Sequence, residues 1–312
     1  MINTVYRLVA PRRFEIAFED INLFGENAIV RPTYLSICNA DMRYYLGTRD
    51  AKVLAEKLPM ALIHEGVGEV FLDPTGTFKT GDKVVMVPNA PVEKDEFIAE
   101  NYLRSSKFCG SSMDGFLQEF VEISPKRLVK LPDDIDMTVA AFTEIVSVSV
   151  HAISRFDKIA HARRNTISVW GDGNLGYITS LFLKYHFPKS KIVVFGTSSD
   201  KLADFTFADE THLVNEVPDG FTTDHAFECV GGNGSPIAIE QIIGLIKPEG
   251  TISILGVSEY PVPINTRMIL EKGLRVFGSS RSGVKDFAKT VDMYKKHPEI
   301  IDYLGNLSLI HI

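Results

Sequence analysis

One glycine-rich turn restricts the fold of this chain more than any other feature. In VWGDGNLGYI, Gly171, Gly173 and Gly176 stand at G-x-G-x-x-G spacing, with Asn174 and Leu175 between the last two. The strand-like TISVW precedes the turn, and the apolar helical pattern YITSLFLKYHF follows it. In that context the glycines permit a tight turn, close backbone approach to a pyrophosphate, and helix–sheet packing. The helix N-terminus then offers N–H groups and a positive dipole end to phosphates. A purely structural strand–helix turn is the competing reading. The agreement of context and spacing favours dinucleotide binding.

The rest of the second half keeps the same grammar. KIVVFG, DHAFECVG, AIEQIIGLI, GTISILGV and LRVFGSS continue an alternation of strands and helical segments. That alternation predicts a parallel, doubly wound sheet. In NAD-binding versions an acidic residue near the end of the second strand holds the ribose. Here that strand ends in Gly196, followed by Thr197, Ser198 and Ser199, with Lys201 close behind. Without a carboxylate there is less repulsion toward a 2′-phosphate, and the hydroxyls and Lys201 can bond to it. NADPH is therefore expected over NADH. Ser199 and Asp200 also read as caps of the next helix, and both roles can hold.

The first half has a different texture. AIVRPTYLSIC, GVGEVFL and DKVVMVP look like strands, with DPTGTFKTGD supplying turn chemistry. NAPVEKDEFIAENYLRSSKFCGSSMDG is a long polar excursion, and loops of that length inside a compact domain are often functional. TEIVSVSVHAISRF suits a helix where the two textures meet. At 312 residues, 45% of them hydrophobic, about two domains are expected. The net charge of −7 argues against a nucleic-acid-binding surface. No apolar run approaches the ~18 residues of a membrane span, and the N-terminus lacks the marks of a signal peptide. Cys38, Cys109 and Cys229 do not make a disulfide framework. Reduced thiols in the cytoplasm are the expectation.

LIHEGVGEV places His64 and Glu65 side by side in an apolar run, where both need compensation. Read as a strand, it points them to opposite faces, so a third group is required. Cys38 follows a strand and Glu144 opens a helix. A thiolate, an imidazole and one or two carboxylates make a zinc set with a position open for water or substrate. Each also has a plain reading. Cys38 could be a small buried hydrophobe, His64 a core histidine with a backbone partner, and Glu144 a helix N-terminal carboxylate. Spacing alone does not decide.

The overall arrangement does. An irregular β-rich half carrying Cys38, HEGVGEV and GDKV, followed by a Rossmann half, resembles the zinc-dependent medium-chain alcohol and polyol dehydrogenases over essentially the whole chain. The resemblance implies an α/β architecture: a GroES-like catalytic domain at 1–146 with a C-terminal return at 284–312, and a Rossmann domain at 147–283. It implies zinc held by Cys38, His64, Glu65 and Glu144, and leaves open which glutamate is inner-sphere. It adds Val230 and Gly256 to the cofactor-binding residues. Within the family, VPNAPVEKDEFIAENYLRSSKF, LGVSEYPVPINTR and GSSRSGVKDF look like the branch that makes ribitol 5-phosphate for CDP-ribitol and wall teichoic acid. A phosphosugar would give Arg43, Arg104, Lys107 and Arg281 a purpose, since guanidinium groups suit bidentate phosphate recognition. Each, taken singly, also reads as a solvated surface charge.

Two departures from the family pattern matter. Ala40 stands where relatives carry a relay hydroxyl, and Arg43 where many carry histidine. Proton delivery then falls to water, a zinc-adjacent glutamate or Tyr44. The four-cysteine lobe is also missing, so one catalytic zinc and no structural zinc are expected. The implied assembly is a homodimer working with a ribitol-5-phosphate cytidylyltransferase. Relatives continue beyond YLGNLSLIHI, so a truncated or frame-altered C-terminus is implied, with activity at stake. The resulting expectation is NADPH-dependent, zinc-assisted reduction of D-ribulose 5-phosphate to D-ribitol 5-phosphate. Its rivals are NAD-dependent oxidation of a neutral polyol, which Gly196 and the arginines disfavour, and a non-catalytic nucleotide-binding protein or inactive truncated chain.

Overall fold

The computed structural model describes residues 1–308 and divides into two compact units: Met1–Ser147 with the chain from Ser282 onward, and Val148–Arg281. Positions 309–312 of the expected C-terminal return lie outside the described residues.

The first unit is β-rich. Its strands are β1 (Ile2–Ala10), β2 (Arg13–Asp20), β3 (Ala28–Ser36), β4 (Met60–Ala61), β5 (Glu65–Leu72), β6 (Lys83–Met86), β7 (Asn89–Ala90), β8 (Lys107–Phe108), β9 (Val121–Ile123) and β10 (Leu128–Lys130). They form sheets ordered β2-β1-β4, β10-β6-β5-β3-β9 and β7-β8. Val30, Val70, Val84, Met86, Phe116 and Val121 fill the core of the five-stranded sheet. Two short helices, α1 (Asn39–Tyr45) and α2 (Ala51–Lys57), lie between β3 and β4. The polar excursion holds β7 and β8 rather than being wholly irregular.

LIHEGVGEV is not a continuous strand. β4 and β5 belong to different sheets, and Leu62 to His64 bridge them. Ile63 carries the break, with φ +71. A β-branched residue rarely adopts that conformation. Here it is held by hydrogen bonds on both sides: Ile63 N–H donates to Asp41 Oδ1 at 3.0 Å, and Ile63 O accepts from Phe116 N–H at 2.7 Å.

Helices α3 (Met137–Ala140) and α4 (Thr143–Ile159) lead into the second unit. There β11 (Thr166–Trp170), α5 (Asn174–His186), β12 (Lys191–Gly196), α6 (Ser199–Ala203), β13 (Glu210–Leu213), β14 (Thr223–Glu228), α7 (Ser235–Leu245), β15 (Ile246–Ile254), α8 (Thr266–Glu271) and β16 (Arg275–Gly278) follow in order. The sheet runs β13-β12-β11-β14-β15-β16, every pair parallel. This is the doubly wound order expected from the alternation. Trp170, stacked on Phe195 at 4.5 Å, packs with Ile239, Ile242 and Ile252. Its indole N–H donates to Gln241 at 2.7 Å.

Helices α9 (Val284–Lys296) and α10 (Glu299–Ser308) belong to the first unit. The Val284 N–H donates to Glu100 at 2.8 Å, and the same carboxylate pairs with Arg127.

Candidate active site

β3 and β5 pair antiparallel with Ser36 opposite Glu65, so the chain leaving β3 brings Cys38 beside the start of β5. The left-handed turn at Ile63 then brings His64 to the same place. The result is a cluster in which one ligand atom each from Cys38, His64 and Glu65 lies within 4.8 Å of the others. Cys38 Sγ is 3.4 Å from His64 Nε2. His64 and Glu65 are 9% and 2% exposed. The break at Ile63 resolves the opposite-face problem that a regular strand would have posed.

Asp41, which sequence reasoning passed over, holds the cluster together. It is 3% exposed. Its Oδ2 accepts from the Cys38 N–H and lies 3.1 Å from Cys38 Sγ. Its Oδ1 accepts from Ile63 N–H and lies 3.8 Å from His64 Nδ1. The available signal was an acid three residues after the cysteine, in CNADM.

The electrostatics of this cluster call for a cation. Burial, then the charges of Asp41 and Glu65, push the Cys38 thiol up. Burial, then Glu144, then Asp41, push Glu65 well above the usual carboxylate range. A thiol, an imidazole and a carboxylate are a zinc donor set, and His64 Nδ1 is buried without a hydrogen-bond partner. The residues fit the metal. Glu144 acts on Glu65 through its charge but is not in the mutually close trio.

In the second unit the glycine turn is tightly built. Gly171 has φ +129, and a Cβ there would lie 3.0 Å from the Cys229 backbone. A Cβ on Gly176 would lie 1.9 Å from Gly171 O. A Cβ on Gly173 would meet nothing, so the space over the start of α5 is open. Gly173 is also the N-cap of α5 and provides no side-chain cap, which leaves N–H groups for an anion. These features fit a dinucleotide pyrophosphate; Asn174 and Leu175 form the first residues of α5.

At the end of β12, Asp172 does what the sequence did not suggest. Its Oδ2 accepts from the N–H groups of Thr197 (2.6 Å) and Ser198 (2.8 Å). A side chain on Gly196 would strike it, with Cβ 2.7 Å from Asp172 Cβ. Ser198 caps α6, while Thr197, Ser199 and Lys201 are exposed. Buried Glu228 likewise ties the loop after β14, accepting from the N–H groups of Val230, Gly231 and Gly256.

The remaining sequence candidates scatter. Tyr44 is 2% exposed, packed with Leu8, Met60, Leu62 and Ile63. Arg43 is half-buried in α1, and Arg104 and Lys107 are exposed. Arg281 lies in the other unit, in a left-handed conformation.

A catalytic-type thiol–imidazole–carboxylate cluster on a β-rich unit, with a Rossmann unit in the same chain, defines a metal-dependent dehydrogenase. The alcohol dehydrogenase GroES-like domain matches residues 25–133, and the zinc-binding dehydrogenase domain matches residues 188–296. The chain belongs to the zinc-binding dehydrogenase family. Among its relatives, ribulose-5-phosphate reductase 1 of Staphylococcus aureus (strain NCTC 8325 / PS 47) is 57% identical over 98% of this chain and 90% of its own. The ribulose-5-phosphate reductase of Bacillus spizizenii is 56% identical over the same shares. The crystal structure of S. aureus TarJ in complex with NADPH superposes with a TM-score of 0.88 at 52% identity, covering 98% of this chain and 89% of that one.

Proposed function

We propose that this chain reduces D-ribulose 5-phosphate to D-ribitol 5-phosphate with NADPH as hydride donor. The observation that carries the reading is the buried Cys38–His64–Glu65 cluster, in a chain more than half identical to reductases of this substrate. Bound zinc supplies Lewis-acid polarisation of the substrate carbonyl and stabilises the developing alkoxide. Cys38 and Glu65 contribute the anionic charge that holds the metal, and His64 the neutral imidazole. Asp41 orients Cys38 and the 63–64 backbone. Glu144 sits outside the trio and tunes Glu65 by its charge. Ala40 has no hydroxyl to relay a proton, and Tyr44 is buried, packed on Leu62 and Ile63 with Arg49 and Lys57 over its ring. The proton for the new hydroxyl then comes from water or a zinc-adjacent glutamate.

In the Rossmann unit, the turn at Gly171, Gly173 and Gly176 takes the pyrophosphate, and Thr197 to Lys201 face the adenosine ribose. NADPH held there would supply the hydride for C2, the second unit's residues binding the cofactor and the first unit's residues holding the metal. The same proposal includes a cytoplasmic homodimer whose product is consumed by a ribitol-5-phosphate cytidylyltransferase for teichoic acid synthesis. The test is a steady-state assay with ribulose 5-phosphate and each nicotinamide cofactor, together with zinc quantification. Turnover with NADPH at one zinc per chain is expected. Oxidation of a neutral polyol with NAD, and no turnover of the phosphosugar, overturns the reading.

A further inference from the structure

One pair of cations in the first unit has gathered without an anion. Arg49 follows α1 and Lys57 closes α2, and both approach the ring of Tyr44. The Arg49 Cζ lies 4.9 Å from the ring centroid and the Lys57 Nζ 5.9 Å. Lys57 donates to Ser111 Oγ at 3.1 Å. The Arg49 Nε is buried with no hydrogen-bond partner. Neither cation has a carboxylate partner among the described residues. The acids on the same stretch do not serve them: Asp50 caps α2 through the Lys52 N–H, and Glu56 is exposed.

Like charges on one ring repel, and a guanidinium N–H shut away from water without an acceptor is destabilising. Cation–π attraction recovers part of this. A bound dianion would satisfy both charges and the orphaned N–H together.

The pair adjoins the scaffold of the metal cluster. Tyr44 lies three residues after Asp41, on the same face of α1. It packs against Leu62 and Ile63, the residues that position His64. On the loop side, Ser111 N–H donates to Phe108 O at 3.1 Å. The Phe108 ring lies 5.2 Å from that of His64. By contrast, Arg104 and Lys107 are exposed, where an ion pair contributes little.

We propose that Arg49 and Lys57, gathered over Tyr44, form the subsite for the phosphate monoester end of the substrate. The inference rests on the phosphosugar reading above and names the residues that enforce it. Arg49 offers its planar fork to two phosphate oxygens, and Lys57 adds a point charge beside Ser111.

The experiment compares the unmodified protein with Arg49→Ala, Arg49→Lys and Lys57→Ala. Each is assayed with NADPH on ribulose 5-phosphate and on ribulose, with inorganic phosphate as inhibitor. NADPH affinity and bound zinc are measured in every variant, the zinc reporting that the first unit is folded. In Arg49→Ala and Lys57→Ala the efficiency ratio between the two substrates should fall about 10- to 100-fold, each tenfold being ~1.4 kcal/mol. The loss should lie in KM, and inhibition by inorganic phosphate should weaken in parallel. Arg49→Lys should recover part of the ratio, because it keeps the charge and loses the fork. If the unmodified protein prefers the phosphorylated substrate and the variants keep that ratio, phosphate is read elsewhere and this inference falls alone. If a variant loses efficiency on both substrates equally, its role is structural and the inference also falls. If the unmodified protein does not discriminate, the phosphosugar reading falls, and this inference with it.

Discussion

The carboxylate of Asp41 accepts hydrogen bonds from two backbone N–H groups distant in sequence, those of Cys38 and Ile63. It thereby holds the thiol and the strained Ile63–His64 segment in one geometry. A non-glycine residue at positive φ costs about 1–3 kcal/mol and persists only where its surroundings over-determine it. Asp41 is a large part of that determination. Asp41→Asn keeps one acceptor oxygen and turns an N–H₂ toward the other donor. Zinc affinity should fall about 10- to 100-fold, read by competition with a chelator, while NADPH affinity holds. Undiminished zinc affinity would show that the site is organised without Asp41. A second residue-scale case is Gly196. Any side chain there meets Asp172 and Leu202 at under 3 Å. Gly196→Asp therefore displaces the carboxylate that ties down Thr197 and Ser198, and places two acids in one space. Both NADPH and NADH should bind more weakly, by several-fold or more, in a fluorescence titration. A clean switch to tight NADH binding would contradict this.

At the scale of single elements, β14 is the most heavily loaded strand. All six of its residues are buried, and three of them are Asp224, His225 and Glu228. Asp224 and Glu228 accept backbone N–H groups at its two ends. His225 is the titratable liability. Its Nδ1 accepts from Thr251 N–H, and its ring lies 4.3 Å from that of His161. Burial, then the His161 charge, push its pKa down to about 4. An unfolded histidine titrates near ~6.5, so between these values the unfolded chain binds the extra proton. Stability is thus fully present above about pH 6.5 and is lost as pH falls toward 4, by up to about 3 kcal/mol. His225→Asn keeps an acceptor for Thr251 N–H and removes the titration. Its urea midpoint should change less between pH 7 and pH 4.5 than that of the unmodified protein. Equal pH dependence in the two would remove His225 as the cause. The same elements show what a sequence can convey. β11 (TISVW), β12 (KIVVFG) and the TISI end of β15 were legible because buried strands read as apolar runs bounded by turns, whereas β14 (TDHAFE) was legible only from its place in the strand–helix alternation. β13 was not, because ETHL is a short edge strand without such a run. The metal trio was legible as residue types but not as geometry. What joins Cys38 to His64 is an acid whose partners are backbone atoms, and a left-handed isoleucine that no propensity favours. Asp172 was hidden for a related reason, since its partners lie 25 and 26 residues away.

On the scale of the whole molecule, the two kinds of chemistry lie in separate compact units. Cys38, His64, Glu65, Asp41 and Glu144 all fall in the first unit, and the glycine turn, Asp172 and Glu228 in the second. The hydrogen bonds that shape the glycine turn and the end of β12 come from the second unit's own residues. Nothing in that set depends on the metal ligands. The first unit does depend on them. Without metal it must hold a thiol and several acids away from water, where burial and then mutual repulsion push Cys38 and Glu65 up. Metal binding to such a set is linked to the stability of the fold that presents it. Chelation should therefore act unevenly. Catalytic turnover should drop at least a hundredfold, and the thermal transition of the catalytic unit should move down by several degrees. NADPH affinity, followed by cofactor fluorescence, should stay within about twofold, and adding zinc should restore turnover. A parallel loss of NADPH affinity and turnover on chelation would mean that the cofactor unit is not autonomous. The division of labour read from the two units would then be wrong.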